Sequence, residues 1–251
     1  MVTVNRPKVA LVTGAAGAIG AATCQQLLSE GYRVYGADLR AGRPDSLPDG
    51  VFYACCDITD EHAVKLLVER VEASAGAITA LVNVAGVVSV GSALSLSLKE
   101  LERVLRINVM GSFLPCQVVG RRMAENRFGA IVNLGSVVGK NSGNARAWVD
   151  ERELDRAGNV AYGMSKSSVH TMTGFLAKEL APRNVRVNAV APGPIATSMT
   201  TNFPDNLRNL IPAGRMGEAG EVAEAISFLL SDKARFITGE VLDINGALWC
   251  D

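Results

Sequence analysis

Tyr162 and Lys166 stand four residues apart in AYGMSK, inside a stretch whose pattern reads as helix. Residues at i and i+4 share one helix face, so the phenol and the ammonium can act on the same object. A phenol titrates near ~10 and is a poor base at neutral pH, but a cation held close favours phenolate and lowers that value. Such a pair can move a proton on or off an alcohol oxygen.

The elements that would position this pair alternate along the chain. Lys8–Thr13, Arg33–Ala37, Val51–Cys56, Ala80–Val84, Ala130–Leu134, Val185–Val190 and Glu240–Ile244 read as short strands buried on both faces. Helical patterns over Ile19–Glu30, Asp60–Ser74, Leu98–Val109, Ser112–Asn126, Ala161–Leu180 and Glu218–Leu230 lie between them. This alternation predicts an α/β fold, a doubly wound parallel sheet with helices on both faces, as in the Rossmann fold. No linker, repeat or low-complexity segment interrupts it, so residues 1–251 are read as a single domain.

The first strand runs into Thr13-Gly14-Ala15-Ala16-Gly17-Ala18-Ile19-Gly20, which opens a helix. Glycines in such a turn let the backbone approach a pyrophosphate, and the helix N-terminus favours its negative charge. The second strand ends at Asp38, followed by Leu39. A carboxylate ~20 residues past the glycine turn can accept hydrogen bonds from the adenosine ribose and repels a 2′-phosphate. Gly17 offers no basic side chain to offset it, although Arg40 and Arg43 lie close in sequence. NAD is therefore expected rather than NADP. Asp57, with Ile58 after it, ends the third strand, and Asn83-Val84-Ala85-Gly86 ends the fourth. The carboxyl ends of strands in such a sheet form the ligand crevice. Asp57 is suited to the adenine amino group, and Ala85-Gly86 leaves room for a ribose.

Composition narrows the classes. Hydrophobic residues make up 48% of the 251, enough for a large core. Lys and Arg balance Asp and Glu at +0, so no basic footprint points to nucleic acid. No apolar run approaches the roughly 18 residues of a membrane span, and the N-terminus reads as a strand rather than a signal peptide. Five cysteines (24, 55, 56, 116, 250) have neither metal-ligand spacing nor an even count. They read as buried reduced thiols of a cytoplasmic protein, with no metal site. His62 and His170 fall in helical patterns and read as packing or surface residues.

Together these motifs resemble the short-chain dehydrogenase/reductase family, in its short single-domain branch. The markers are Thr13-Gly14, Asp57, NVAG at 83–86, Asn108, Ser136, Tyr162-x-x-x-Lys166, APGPIATSM at 191–199 and TGE at 238–240. The resemblance implies that Tyr162 is the catalytic acid/base, and that Lys166 lowers its pKa and holds the nicotinamide ribose. Ser136 would donate a hydrogen bond to the reacting oxygen, and Asn108 would hold a water linking Lys166 to solvent. Pro192, Gly193, Ile195 and Thr197 would flank the nicotinamide. The implied activity is interconversion of a secondary alcohol and a ketone. A 3-oxoacyl reductase is the alternative, but those enzymes generally use NADPH and a basic residue where Gly17 stands. A non-catalytic dinucleotide sensor would be expected to lose Ser136, Tyr162 or Lys166, and all three are present.

Two departures bring in a nucleotide-sugar epimerase or dehydratase. The spacing Gly14, Gly17, Gly20 puts Ala18 where short members usually have glycine. Ser136 and Tyr162 are 162 − 136 = 26 residues apart, about twice the usual gap. Against that reading, extended members carry a further C-terminal domain, and residues 184–246 look like the short branch. The long gap places a substrate-side insertion at 140–160, with Trp148, Arg146 and Arg152 either facing substrate or lying in a solvated excursion. Residues 198–216, with Phe203, Leu207 and Leu210, suit a lid. The apolar tail Ala247–Asp251 and the helices 98–126 and 161–180 are expected at subunit contacts of a homotetramer.

Overall fold

The computed structural model describes residues 8–143, 153, 158–197, 200–201 and 203–250. Arg146, Trp148 and Arg152 of the expected insertion lie outside the described residues, as do Ser198, Met199 and Asn202 of the expected lid.

Seven strands form one parallel sheet in the order β3-β2-β1-β4-β5-β6-β9. They are β1 (Val9–Thr13), β2 (Arg33–Asp38), β3 (Phe52–Cys55), β4 (Ala80–Asn83), β5 (Gly129–Leu134), β6 (Val185–Pro192) and β9 (Val241–Ile244). Order reverses between β1 and β4, which pair in register from Ala10 opposite Ala80 to Thr13 opposite Asn83. A crevice opens beyond the strand ends at such a reversal, because the crossovers on either side leave to opposite faces.

Each strand feeds both faces. Ala10 and Val12 of β1 join Leu27, Val34, Ile226 and Leu229 in one buried cluster. Val9 and Leu11 point the other way, to Val64, Leu67, Val71, Val119 and Met123. That is the two-residue alternation of a strand, and burial on both sides is why the strands are apolar throughout. Helices α1 (Ala18–Ser29) and α8 (Ala219–Leu230) cover the first face. The other is covered by α2 (Glu61–Ala75), α4 (Gly111–Asn126) and α6 (Val160–Leu180). Two starts are fixed by side-chain caps: Asp60 accepts from His62 N and Ala63 N, and Ser97 accepts from Glu100 N at the head of α3 (Leu98–Leu105).

The expected break near residue 110 does not occur. A π-helical turn, Arg106–Met110, joins α3 to α4 as one rod. Gly111, within that expected break, permits a close approach: a Cβ there would lie 2.8 Å from Ile58 Cδ1. The π turn carries Asn108 inward, and such turns are frequent at functional sites. Short elements complete the site end: α5 (Val138–Asn141), α7 (Asp205–Arg208), and a two-stranded pair of β7 (Ile195–Ala196) with β8 (Gly217–Glu218).

Of the cysteines, 24, 56 and 116 are buried, but Cys55 and Cys250 are exposed, contrary to the uniform burial expected. Burial pushes the Cys24 and Cys116 thiols up to about 12 and Cys56 to about 11. They are inert packing groups at neutral pH.

Candidate active site

A cleft of about 2020 Å³ runs along the carboxyl ends of the strands, from the glycine turn past Tyr162 to Leu248. Gly14 begins its floor with φ +67°, and a Cβ there would lie 2.5 Å from Ala85 N. A Cβ on Gly20 would lie 2.1 Å from Gly14 O, so the turn folds onto the helix only without side chains at both positions. Gly17 differs: a Cβ would meet only Gly14 O, at an ordinary 3.5 Å. The protein's own packing does not require glycine there, and its lack of a side chain leaves that part of the cleft wide.

Asp38 ends β2 beside this turn. Ala16 N donates to its Oδ2 at 3.1 Å and Arg40 N to its Oδ1 at 3.4 Å, which fixes the carboxylate at the cleft wall. Arg43 is committed elsewhere, donating to the carbonyls of Leu47 and Pro48 at 3.0 and 2.7 Å. Arg40 lines the cleft. Asp57 spends one oxygen on Thr59, accepting from its N and Oγ1 at 2.8 Å each. Ala18, Ile19, Leu39, Ile58, Ala85 and Gly86 all line the same cleft, and so do Pro192, Gly193, Ile195 and Thr197 at its other end.

At the centre, Ser136 follows β5, and Tyr162 and Lys166 rise from α6. Ser136 Oγ accepts from Val138 N at 3.2 Å, which leaves its own proton to donate. Lys166 is buried, its Nζ donating to Leu134 O at 2.6 Å and lying 5.6 Å from the Tyr162 ring centroid. Burial pushes its ammonium down to about 8. Burial raises the Tyr162 phenol above its usual value, and a hydrogen bond with the Ser136 side chain pulls it back. Burial outweighs that hydrogen bond, so the net shift at Tyr162 is upward.

Three expected site residues are buried at the back of the cleft rather than lining it. Lys166 is one. Asn108 is buried, its Oδ1 accepting from Val87 N at 2.8 Å and its Nδ2 donating to Val87 O and Ser165 Oγ at 2.9 Å each. Asn83, expected to bind cofactor, does not face the cleft. Its Nδ2 donates to Asn133 Oδ1 at 2.9 Å and Cys116 Sγ at 3.1 Å, and Asn133 Nδ2 in turn donates to Thr173 Oγ1 at 3.0 Å. The reason is strand alternation: the last residue of β4 points into the layer between sheet and helices, and the loop after it reaches the ligand side.

Sequence reasoning missed four features. Ala16 acts only through its backbone N–H, which residue type cannot signal. Val88 and Val90 line the far end of the cleft from a loop that Gly91 N ties to Gly158 O at 2.7 Å. Leu248 lines the cleft as well, so part of the apolar tail serves its own chain's site. His170, read as packing or surface, meets the Ser136 backbone: Ser136 N donates to its Nε2 at 3.3 Å. Its place one turn beyond Lys166 was the available signal.

Comparison with known proteins agrees with this geometry. A family model described as enoyl-(acyl carrier protein) reductase matches residues 14–248. The 3-oxoacyl-[acyl-carrier-protein] reductase FabG of Thermotoga maritima is 39% identical over 96% of this chain and 97% of its own length. The D-threitol dehydrogenase of Mycolicibacterium smegmatis is 38% identical over 95% of this chain and 92% of its own. The crystal structure of gox2181 superposes with TM-score 0.85 at 31% identity, over 96% of this chain and 95% of that one. With the matches spanning the cleft from Gly14 to Leu248, the chain belongs to the short-chain dehydrogenase/reductase family of nicotinamide-dependent oxidoreductases acting on CH–OH and keto groups.

Proposed function

We propose that this oxidoreductase uses NAD to interconvert a secondary alcohol and its ketone, with Tyr162 as acid/base. The observation that carries the cofactor choice is Asp38, whose carboxylate is fixed at the end of β2 by Ala16 N at 3.1 Å. A 2′-phosphate there would face a fixed negative charge. Arg43 is spent on Leu47 and Pro48, which removes one of the two cations that could offset it.

The residues present fit a dinucleotide. The Gly14–Gly20 turn and the N-terminus of α1 suit a pyrophosphate, Asp38 with Leu39 the adenosine ribose, and Asp57 with Ile58 the adenine. Ala85 and Gly86 leave room for the second ribose, and Pro192, Gly193, Ile195 and Thr197 flank the far end. A bound nicotinamide dinucleotide supplies the hydride acceptor or donor. In the oxidising direction Tyr162 takes the hydroxyl proton as phenolate, the form that the Lys166 ammonium beside it favours against burial. Ser136 donates its proton to the reacting oxygen, a role open to it because Oγ already accepts from Val138 N. Lys166 keeps two donors beyond the one given to Leu134 O, available to a ribose and to a water. A Cβ on Gly86 would lie 3.2 Å from Asn108 Oδ1 and 3.6 Å from Lys166 Nζ, so the water linking Lys166 to solvent would belong beside Gly86. Val88, Val90, Phe203, Leu207 and Leu248 give the substrate end an apolar wall, with Phe203 and Leu207 coming from the segment read as a lid.

A second reading, an NADPH-dependent 3-oxoacyl reductase, draws support from the FabG relatives. One assay separates the two. Purified protein is offered NAD or NADP with secondary alcohols, polyols and 3-hydroxyacyl thioesters, and the reduced nicotinamide band is followed. NADH formed with an alcohol or polyol supports the first reading, and turnover confined to NADP and a thioester supports the second. Tyr162→Phe should abolish turnover while NAD still binds; a variant that keeps turning over would remove Tyr162 as the acid/base.

A further inference from the structure

Helix α6 presents a stripe of polar groups at steps of four and three residues, Lys166, His170 and Thr173, and each meets the end of β5 or the residues just after it. Thr173 Oγ1 accepts from Asn133 Nδ2 at 3.0 Å, and Lys166 Nζ donates to Leu134 O at 2.6 Å. Between them in sequence stands His170, whose Nε2 accepts from Ser136 N at 3.3 Å. The chain is shaped around this ring on two sides. A Cβ on Gly135 would fall 2.1 Å from His170 Nε2, and one on Gly139 would fall 2.9 Å from His170 Cε1. A side chain on Gly135 would displace the imidazole, and one on Gly139 would crowd both the imidazole and the α6 backbone at Lys166 and Ser167.

We infer that His170 is a positioning residue for the reaction, holding Ser136 in place by accepting its backbone N–H with an unprotonated Nε2. The inference rests on the proposed role of Ser136 as donor to the reacting oxygen. The physical case is one of registration. Ser136 Oγ accepts from Val138 N at 3.2 Å, and Val137 N donates to Pro192 O at 3.0 Å, so the turn after Ser136 is anchored. Gly135 N donates to Val190 O at 2.8 Å, which anchors the residue before it. The Ser136 N–H lies between these anchors, and a backbone donor left unpaired off solvent is costly enough to move a turn. A neutral imidazole with one accepting nitrogen carries its proton on the other, so the interaction requires the Nδ1–H tautomer. Because donors must meet the reacting oxygen closely, a shift of the turn by a fraction of an ångström lowers the rate without weakening dinucleotide binding.

The test has two arms, and the first does not depend on turnover. The chain has only two histidines, so long-range nitrogen–proton spectra of the labelled full-length protein resolve both rings, and His62→Gln identifies His170. At neutral pH His170 should show the Nδ1–H tautomer. An Nε2–H tautomer or an imidazolium would overturn the inference, whatever the substrate proves to be. The second arm compares His170→Leu, which fills the space without an acceptor, with His170→Gln, whose amide oxygen reaches the Nε2 position. On the substrate found by the cofactor screen, His170→Leu should lose about tenfold or more in kcat with NAD affinity unchanged, and His170→Gln should recover most of it. Equal rates in both variants, whether both intact or both impaired, would refute a role through the acceptor. Absence of turnover in the wild-type protein would count against the proposed reaction, leaving the tautomer to decide the inference.

Discussion

Lys166→Met removes an ammonium that the fold holds against the preference of its surroundings, and the stability difference between variant and wild type should change with pH accordingly. Burial pushes Lys166 from 10.5 to about 8. The gap of about 2.5 units, at about 1.4 kcal/mol per unit, puts the cost of keeping the charge near 3 kcal/mol. Between pH 8 and 10.5 the unfolded chain keeps the lysine proton that the folded protein releases, so wild-type stability rises with pH there. Below the folded value the cost is present in full, and it is relieved as pH climbs through that window. The variant has no such group. From about pH 7 to about pH 10 the wild type should therefore gain about 2–3 kcal/mol relative to Lys166→Met. The variant leaves the Leu134 carbonyl without its donor, a loss of about 1–3 kcal/mol, but that offset does not depend on pH. Other titrating groups are common to both proteins and cancel to first order. Urea denaturation of both proteins at several pH values and one fixed protein concentration reads the difference directly. A flat difference, or a wild type that loses ground as pH rises, would refute the reasoning.

Asp38→Ser should raise the NADP-to-NAD ratio of kcat/KM by about tenfold or more, since it removes a fixed like charge from the 2′-phosphate position; initial rates with both cofactors check it. Gly14→Ala should destabilise the protein by about 2–3 kcal/mol and weaken NAD binding, because a left-handed backbone and a 2.5 Å contact with Ala85 N arise together. Thermal unfolding and a binding titration report the two effects separately. Leu248→Ala should cost about 1–2 kcal/mol in kcat/KM, chiefly through KM, for a substrate whose apolar end reaches that wall. Steady-state kinetics on two alcohols of different chain length would show the larger loss for the longer one.

Much of this protein was legible in residue order. Buried parallel strands are apolar throughout and helices are periodic, so the seven strands and the main helices could be read within a residue or two at their ends. The Gly14–Gly20 turn, Asp38 and the Tyr162–Lys166 pair were also legible, because their chemistry depends on spacing within a single element or between consecutive ones. Tertiary structure decided what depends on facing. Asn83 and Ala85 are two residues apart, yet the first is turned into a buried amide network and the second, in the loop after β4, lines the cleft. The π turn that carries Asn108 inward replaces the break expected between Val109 and Ser112. The upward shift at Tyr162 was a tertiary matter too, because its burial has no trace in the spacing of Tyr162 and Lys166. His170 shows the boundary most clearly: its place on the helix stripe is set by sequence, but the donor it meets comes from Ser136, 34 residues away. Periodicity fixes which residues share a face; only the packed fold fixes what that face meets.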